Sequence, residues 1–565
     1  MTYVITQPCC NDASCVQACP VGCIHPTPSE PDYRTAEMLY IDPRSCIDCA
    51  ACVDACPVDA VYAEDELPQD LRVYLDINAD YYRTRPVDHR PVPIPDPPSL
   101  PESDQPLRVA IVGAGPSGFY AAAELLAADA GSVQISMFER LPVPFGLVRH
   151  GVAPDHQHTK EITQLFRRVA AHRDFATFYN VEIGAHLTHA ELSAHHHAVL
   201  YTSGAAHSRT LGIPGEDLSG SHSATDFVAW YNGHPDFADT SFDLSGERAV
   251  VVGNGNVALD VARMLLLDPK VLARTDIADH ALAALRESNI REVVLLGRRD
   301  HTHAAYSTPA LLGFGALDDI DIVVEPEAIL HPPVEDFVGH LKAQALRDLA
   351  LQRPSRSSSN KRLVLRFLAS PVAIVGTDRV EAVAVARNQM IVDDHGNAIA
   401  ETTEDIETID TGLVLRSIGY RGRAVPDLPF DGRTGTLPNE DGRVIDPVEG
   451  VRLRGTYTAG WIKRGPTGVI GSNRADAANT VDAILDDYRR GLLSTPTGTA
   501  SDLVDLVRTR QPQRVDRANW QRIDEREISQ GRALNRPRVK FTVVGDMLQT
   551  AQTSGTVVSG TETEK

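Results

Sequence analysis

The sequence predicts a small cysteine-rich domain at the N-terminus, followed by a larger α/β unit with parallel sheets. Three observations support this fold class. All nine cysteines lie between Cys9 and Cys56. A proline-rich segment follows at residues 83–107, where neither a helix nor a sheet ladder can continue. Beyond it, short β-branched apolar runs alternate with longer helical patterns, which is typical of parallel sheets.

Length and composition narrow the class of protein. At 565 residues the chain is too long for one hydrophobic core, and this length suggests about three or four domains. It has no run of 18 or more apolar residues, and its first residues do not resemble a secretory signal. We therefore expect no membrane span and a cytoplasmic protein. A net charge of −22 argues against a nucleic-acid partner, because Lys and Arg provide affinity for phosphate backbones.

The cysteines follow a ligand pattern. In a cytoplasmic protein this density favours metal ligation over disulfides. One run has the spacing at which three thiolates hold an iron–sulfur cluster while a fourth reaches a second cluster, Cys46-x2-Cys49-x2-Cys52-x3-Cys56-Pro57. An earlier run has the same register with an aspartate at the second position, Cys9-x2-Asp12-x2-Cys15-x3-Cys19-Pro20. The segment is therefore an internal repeat.

Two such repeats that exchange their fourth cysteines resemble the bacterial two-cluster ferredoxins, over residues 1–82. The resemblance implies an α+β domain. It assigns a 4Fe-4S cluster to four ligands, Cys19, Cys46, Cys49 and Cys52. A second cluster would be held by Cys9, Cys15 and Cys56.

The second cluster has two possible forms. Its fourth iron is either absent, as in a 3Fe-4S cluster, or bound by the carboxylate of Asp12, and ferredoxins similar to this segment show both outcomes. We favour 3Fe-4S. Cys10 and Cys23 remain, and we interpret them as small buried apolar residues, although Cys10 could replace Cys9 as a ligand.

A complete dinucleotide-binding fingerprint follows the linker. The predicted strand 109–112 runs into a Gly-x-Gly-x-x-Gly turn at Gly113, Gly115 and Gly118. These glycines permit a tight turn and let a pyrophosphate approach the helix N-terminus. Glu139, 21 residues after Gly118, ends the predicted strand 134–138 and can accept hydrogen bonds from a ribose.

A second fingerprint follows the predicted strand 249–252. Its turn reads Gly253-Asn254-Gly255-Asn256-Val257-Ala258. After the later predicted strand 293–296 there is no acidic residue, and the chain continues with Arg298 and Arg299. Two guanidinium groups suit an additional phosphate, so we expect NADP(H) rather than NAD.

These sites differ in how many electrons each transfers at once. NADPH delivers two electrons as a hydride, whereas an iron–sulfur cluster accepts one at a time. A flavin can do both. We therefore expect FAD in the first dinucleotide site and NADP(H) in the second.

Further motifs at residues 145–156, 227–235 and from Gly460 onward resemble adrenodoxin reductase and its bacterial NADPH–ferredoxin reductase relatives, over about residues 106–545. With the N-terminal segment, the chain resembles the actinobacterial ferredoxin–reductase fusions. The family implies an FAD-binding domain interrupted by an NADP-binding domain. The expected division is 1–82 ferredoxin, 83–107 linker, 108–209 first FAD-binding part, 210–422 NADP-binding domain, 423–545 second FAD-binding part with a C-terminal extension, and 546–565 disordered tail.

The resemblance also implies contacts at matching positions. FAD contacts would come from Gly115, Glu139, Leu147, Ile183, Trp461, Gly468, Val469 and Ile470. The segment from Gly460 to Ile470 would lie beside the isoalloxazine, with Gly468 also near the nicotinamide. NADP contacts would come from residues 254–257 and from Arg298 and Arg299.

One departure from the family concerns His156. Relatives commonly carry a Leu-Glu-Leu-Arg-Glu-like run where this chain has Pro309-Ala-Leu-Leu-Gly313, so two carboxylates are missing. The position that the resemblance would place beside His156 is Gly313. We therefore expect a structural His156 and assign no catalytic side chain.

The favoured function is an FAD-dependent ferredoxin–NADP(+) reductase that exchanges electrons, in either direction, between NADPH and its own clusters. An external redox protein, such as a ferredoxin-dependent enzyme or a cytochrome, would be the acceptor. Two alternatives are an electron-input subunit similar to that of glutamate synthase, and a structural or redox-sensing role for the clusters. The acidic surface of residues 1–82, with 14 Asp and Glu against three Arg, favours transport. A flavin-dependent disulfide reductase is excluded, because the larger unit has no cysteine.

Overall fold

Two similar halves make up the N-terminal domain in the computed structural model, which describes residues 2–85, 87, 89–93, 100, 105–128, 132–324, 337–351, 360–393 and 397–552. Two antiparallel strand pairs frame the domain, Tyr3–Ile5 with Val61–Ala63 and Ile24–His25 with Tyr40–Ile41. Its helices are Ser14–Ala18, Ala51–Ala55 and Val73–Thr84, with 3-10 turns at Pro31–Arg34 and Gln69–Leu71. The buried side chain of Asn78 accepts a hydrogen bond from the Ile41 N–H (2.9 Å) and donates one to the Ile5 carbonyl (2.9 Å), which ties the last helix to both strand pairs.

A seven-stranded sheet forms the first layer of the larger unit. Its strand order is Asn439–Glu440, Arg443–Asp446, Val451–Thr458, Ala198–Tyr201, Leu107–Val112, Val133–Glu139 and Phe175–Tyr179. The last five of these are parallel. The helices that pack against this sheet include Pro116–Ala127, Ile162–Ala170 and Ser472–Arg489.

A fully parallel sheet of six strands forms the second layer. Its order is Ser221–Ser223, Leu413–Arg416, Arg248–Val252, Glu292–Leu296, Lys361–Arg366 and Ile320–Val324. The helices of this layer are Ala224–Tyr231, Asn256–Leu266, Asp279–Arg286, Thr308–Gly315 and Phe337–Leu351. An antiparallel sheet of Ala369–Val375, Ala382–Val392 and Ala398–Asp410 extends from it. The four strands that we expected from apolar runs all lie within parallel strands of these two sheets.

The chain passes between the two layers at one place. The short strands His207–Ser208 and Tyr420–Arg421 pair antiparallel, one on the way out of the first layer and one on the way back. The second layer is thus inserted between Ala198–Tyr201 and Val451–Thr458 of the first, as the resemblance implied.

Further helices come from both the middle and the end of the described chain. The remaining helices of the described chain are Gly146–His150, Gln157–Lys160, His189–His195, Pro269–Leu272, Trp461–Arg464, Ala500–Arg510, Arg517–Ala533 and Val544–Gln552, with 3-10 turns at Pro235–Phe237 and His301–His303. In the described part of the chain, no helix is both long and apolar enough to cross a membrane.

The last helix corrects the expected tail. Residues 546–552, which we expected to be disordered, form most of the helix Val544–Gln552. Its Met547, Leu548 and Ala551 are buried in the core of the first layer, so apolar burial stabilises a segment whose polar composition suggested disorder. Residues 553–565 lie outside the described residues.

The expected linker also begins later than we placed it. The helix Val73–Thr84 includes its first two residues, and Nε2 of His89 lies 2.9 Å from a carboxylate oxygen of Asp42. At its other end, Leu107 already belongs to a strand. Residues 86, 88, 94–99 and 101–104 of this segment lie outside the described residues.

The N-terminal domain packs against both layers. Phe337 and Leu341 of the second layer belong to its apolar core. Cys10, Val58 and Ala60 of the domain belong to the core of the first layer. The described cores are therefore continuous across the domain boundary.

Candidate cofactor sites

The four thiols of the expected 4Fe-4S ligand set surround one cavity, which we name the outer site. The cavity is lined by all four expected ligands, Cys19, Cys46, Cys49 and Cys52, and also by Cys23. Ile47 also lines it and is 57% exposed, and Cys49 is exposed. The outer site therefore reaches the protein surface. Four of the thiols around one cavity fit the ligand number of a cubane cluster.

Cys23 lies beside the outer site. Its sulfur is 3.5 Å from the Cys19 sulfur, and its backbone N–H donates to Cys19 Sγ at 3.4 Å. Hydrogen bonds from Cys23 lower the pKa of Cys19 to about 5, which favours the thiolate form that binds metals. Cys23 is 2% exposed, in line with the expected buried residue.

The other three expected ligands form the inner site, defined by Cys9, Cys15 and Cys56. Cys15 is buried in the apolar core of the N-terminal domain, and Cys9 and Cys56 pack against the same core. Burial raises the pKa of Cys15, and the nearby Cys9, Asp12 and Cys56 raise it further. Cys9 and Cys56 also pack against the apolar core of the first layer. The inner site thus faces the larger unit.

The ligand loops of the two sites have the same backbone conformation. Asn11 and Ala13 have φ values of 56° and 60°, and the equivalent Asp48 and Ala50 have values of 57° and 60°. The helices Ser14–Ala18 and Ala51–Ala55 follow at equivalent positions. The loops differ in the residue between the two left-handed positions, which is an aspartate in one and a cysteine in the other.

Asp12 is engaged by protein donors. Its Oδ1 accepts the N–H of Ser14 at 3.3 Å, and its Oδ2 accepts the Ser14 hydroxyl. Nη1 of Arg474 lies 3.9 Å from Oδ2 and donates to the Asp12 carbonyl at 3.0 Å. Asp12 is only 5% exposed. Its carboxylate therefore has partners without any iron.

The first dinucleotide fingerprint has the geometry of a phosphate cradle. A Cβ at Gly113 would lie 2.6 Å from the Thr202 carbonyl oxygen, and one at Gly118 would lie 2.3 Å from that of Gly113. Gly115, by contrast, has open space in the Cβ direction. The helix Pro116–Ala127 begins after Gly115 without a side-chain cap, so its first N–H groups can bind an anion.

The other residues expected at this site lie at different distances from the turn. Glu139 accepts hydrogen bonds from the N–H groups of Ala114 (3.0 Å) and Leu141 (3.1 Å), and burial raises its pKa. Leu147 is 39% exposed and follows Gly146, whose Cβ position is 3.1 Å from the Gly115 Cα. Ile183 packs in a separate apolar cluster. The structure thus brings Glu139 and Leu147 to the turn, whereas Ile183 packs against another apolar cluster.

The second fingerprint repeats this geometry. A Cβ at Gly253 would lie 2.1 Å from the Ser417 carbonyl oxygen, whereas at Gly255 the nearest atom is 3.8 Å away. The helix Asn256–Leu266 also begins without a side-chain cap. Asn256 accepts a hydrogen bond from the Ser307 N–H at 2.7 Å, and Val257 packs against the core. The N–H of Gly253 bonds to the Leu296 carbonyl, whereas the uncapped start of the helix leaves its first N–H groups for a phosphate.

Other side chains surround this second turn. Asn254 Oδ1 lies 3.5 Å from the Ala305 nitrogen, and a Cβ on Gly297, directly before Arg298, would lie 2.5 Å from the Asn254 amide nitrogen. Arg298 is exposed and Arg299 is half-buried, and neither has an acidic partner among the described residues. Two guanidinium groups beside the turn fit an additional phosphate.

The late segment lies against the first fingerprint. A Cβ at Gly460 would be 2.1 Å from the Ser117 hydroxyl, and one at Gly468 would be 2.2 Å from that of Ser472. The Trp461 ring lies 5.4 Å from Tyr420, and its Nε1 donates to the Thr467 carbonyl at 3.1 Å. Val469 is 37% exposed, and Ile470 packs against the first-layer core.

Sequence reasoning missed three polar residues of the helix Ser472–Arg489. Asn473 accepts a hydrogen bond from Ser117 at 3.0 Å, and Asp476 accepts one from the Gly460 N–H at 2.5 Å. These two residues hold the late segment on the first fingerprint. The third is Arg474, which contacts the N-terminal domain. Helical spacing alone gives no signal for such contacts.

His156 has a structural partner. Nη2 of Arg263 lies 2.9 Å from His156 Nε2, and Arg263 also pairs with Asp155 and Asp260. Burial, together with the Arg263 charge, lowers the pKa of His156. A neutral ring that accepts a hydrogen bond from Arg263 agrees with the expected structural role.

Residues 309–313, where this chain lacks two carboxylates that relatives commonly carry, face the N-terminal domain. The Thr308 N–H donates to Oε2 of Glu37 at 2.7 Å, and Oε1 of Glu37 lies 3.0 Å from Lys342 Nζ. Leu312 packs against the apolar core of the N-terminal domain. An apolar helix surface here accommodates the fused domain.

Comparisons with known proteins support the expected fold class. A 4Fe-4S dicluster domain model matches residues 9–60, and a pyridine nucleotide-disulphide oxidoreductase model matches residues 107–307. A probable ferredoxin/ferredoxin–NADP reductase of Mycobacterium tuberculosis is 49% identical over 563 residues, which cover 98% of this chain and 95% of that protein. NADPH:adrenodoxin oxidoreductase of Arabidopsis thaliana is 37% identical over 467 residues, which cover 80% of this chain and 96% of that protein.

A solved structure agrees as well. Mycobacterium tuberculosis FprA in complex with NADPH superposes with a TM-score of 0.76 at 44% identity, covering 79% of this chain and 100% of FprA. The expected fold class, family and enzyme class are confirmed by these matches. The chain belongs to the family of ferredoxin/ferredoxin–NADP reductases, in which an iron–sulfur domain is joined to a reductase with two dinucleotide-binding folds.

Proposed function

We propose that this chain transfers electrons between NADPH and an external one-electron redox protein, through FAD and the two clusters of its own N-terminal domain. One observation carries the proposal. The N–H of Gly471 donates to the Cys10 carbonyl at 2.7 Å, and this bond joins the segment expected beside the flavin to the inner-site loop. In the direction of NADPH oxidation, one NADPH and two oxidised acceptors give NADP⁺, one proton and two reduced acceptors.

The first layer would hold FAD. The turn at Gly113, Gly115 and Gly118 would bind its pyrophosphate, and Glu139 its ribose. Leu147 and Ile183 would add apolar contacts. The late segment, with Trp461, Gly468, Val469 and Ile470, would lie along the ring. When bound, FAD supplies the exchange between hydride and single-electron transfer.

The second layer would hold NADP(H). The turn from Gly253 through Val257 would bind the pyrophosphate, mainly through backbone N–H groups. Arg298 and Arg299 would bind the additional phosphate that distinguishes NADP from NAD. The unpaired state of both guanidinium groups among the described residues supports this role.

The side chains of this site position the reactants. The late segment is fixed at its start by Asp476, which accepts the Gly460 N–H and lies 3.0 Å from Lys463 Nζ. Ser117 and Asn473 fix the same segment to the first fingerprint. A rigid segment of this kind lowers the barrier by orientation, and no side chain is required as a nucleophile.

The outer site would hold a 4Fe-4S cluster and the inner site a 3Fe-4S cluster. The support for three irons is the geometry of Asp12, whose two carboxylate oxygens accept hydrogen bonds from Ser14. Ligation of a fourth iron by this residue would compete with these two bonds for the lone pairs of its carboxylate. The near-complete match to proteins named as reductases supports this function over an electron-input subunit of a larger complex.

The first test combines NADPH reduction with electron paramagnetic resonance. We expect the anaerobically purified protein to give the signal of an oxidised three-iron cluster, which NADPH addition diminishes. The variant Asp12→Cys supplies a fourth thiol, so we expect it to lose this signal and to gain about one iron per chain.

Ser14→Ala is the matched control, because it changes the partner of Asp12 and adds no ligand. Only four-iron signals in the unaltered protein would rule out the three-iron assignment. If dithionite reduces the clusters but NADPH does not, transfer from NADPH to the clusters is ruled out.

A further inference from the structure

We propose that Asp12 and Arg474 form a docking contact that makes the inner site the first cluster to exchange electrons with the flavin, and leaves the outer site to serve the external acceptor. This inference rests on the proposed function and adds the order of the two clusters. It also gives Asp12 a role other than iron ligation.

Arg474 joins the two parts of the protein. It follows Gly471 by three residues, on the helix Ser472–Arg489. Its guanidinium donates to the Asp12 carbonyl (3.0 Å), the Ser14 hydroxyl (3.0 Å) and the Gln17 side chain (3.3 Å). Its Nε lies 3.6 Å from Glu124 of the first layer. A planar group with several donors is suited to such a junction.

Charge strengthens this junction. The side chains of Asp12 and Arg474 are 6% and 28% exposed, so solvent screens their attraction less than at an open surface. The three acceptors of Arg474 in the N-terminal domain all lie within residues 12–17, the ligand loop and first helix of the inner site. Losing the guanidinium would leave these acceptors in a poorly solvated interface.

The backbone approaches most closely at Gly471. A Cβ on Gly471 would lie 2.2 Å from the Asn11 carbonyl carbon, so no side chain fits there. Its N–H bonds to Cys10, which is adjacent to the ligand Cys9. One hydrogen bond and a short stretch of backbone therefore connect the late segment to an inner-site ligand.

Seen from the first layer, the outer site lies beyond the inner site. The helices Ser14–Ala18 and Ala51–Ala55 pack against each other, and Cys15 and Cys52 are buried in the same apolar cluster, so the two sites adjoin. Among the described residues, the cysteines that pack with the first-layer core are Cys9, Cys10 and Cys56, and none is an outer-site ligand. The exposed Cys49 and Ile47 instead open the outer site to solvent.

The electrons then follow one order. A hydride from NADPH carries two electrons, and with the cofactors bound these would pass one at a time to the inner site and then to the outer site. Each electron reduces one acceptor molecule, and the proton of the hydride passes to solvent. In the reverse direction the same two sites act in the opposite order.

Two variants of the full-length, cofactor-loaded protein test the docking contact. Arg474→Gln removes the charge, and Gly471→Ala introduces a methyl group where the Asn11 backbone lies. The matched controls are Arg490→Gln, on an arginine that pairs with Asp486 at the surface, and Gly246→Ala, where the Cβ direction is open. Hydrogen exchange of residues 9–17 reports docking, and stopped-flow absorbance reports NADPH-driven reduction of the clusters and of an added dye.

We expect both test variants to increase hydrogen exchange in residues 9–17 and to slow cluster reduction at least tenfold relative to dye reduction in the same sample. The controls should match the unaltered protein. Unchanged exchange in both variants would show that Asp12 and Arg474 do not dock the domain. Increased exchange with an unchanged ratio of the two rates would show that the inner site does not receive electrons first. Failure of the unaltered protein to reduce its clusters would instead count against the proposed function.

Discussion

The two cysteine repeats have the same backbone and different surroundings. Their ligand loops share the left-handed residues at equivalent positions, and a helix follows each loop. The loop with Cys49 opens to solvent, whereas the loop with Asp12 is pressed against Gly471 and Arg474 of the reductase. The position at which Asp12 replaces a cysteine therefore lies at the surface that docks on the reductase. Docking and iron ligation would compete for this position.

The largest expected effect is a loss of iron when predicted ligand cysteines are removed, but not when the other cysteines are removed. The double variant Cys46→Ala/Cys49→Ala removes half of the outer-site ligands, so we expect it to lose about four irons per chain and most electron transfer to an external acceptor. Cys10→Ala/Cys23→Ala is the matched control and should keep its iron. Iron analysis and acceptor reduction measure both effects. Loss of iron from the control would make Cys10 or Cys23 a ligand.

A smaller effect concerns ionic strength. The outer site is surrounded by exposed acidic residues, including Asp48 and Asp54, whereas the inner site is buried at a domain contact. Raising the salt concentration from about 0.05 M to about 0.5 M should slow reduction of a basic redox protein several-fold, because salt screens exposed charges. Internal cluster reduction should change by less than about twofold. Stopped-flow measurements at both salt concentrations give the two rates. A larger salt dependence for reduction of the internal clusters than for reduction of the external redox protein would contradict this difference between the sites.

Local spacing explains why much of the site could be predicted from sequence. The ligand runs and both glycine fingerprints are encoded within about ten residues each, and the structure places Cys19 with Cys46 as the exchanged repeat required. The insertion of the second layer followed from the resemblance to reductases. These features depend on short motifs whose geometry is nearly fixed by backbone chemistry.

Long-range contacts explain what sequence reasoning missed. Arg474 and Asp12 are 462 residues apart, and no periodic pattern links them. The final helix was missed because its polar composition concealed three buried apolar residues. The sequence showed that residues 309–313 lack two carboxylates that relatives commonly carry, but it did not show why. There Leu312 packs against the N-terminal domain, and the Cβ direction of Gly313 points to Gln7 at 3.9 Å.

The most direct test of the order of the two clusters uses the variant Cys46→Ala/Cys49→Ala. Its inner site would be followed by electron paramagnetic resonance in samples frozen at intervals after mixing with NADPH. We expect NADPH to reduce the remaining inner-site cluster, because its route from the flavin does not pass through the outer site. An inner cluster that stays oxidised with NADPH but is reduced by dithionite would contradict this order.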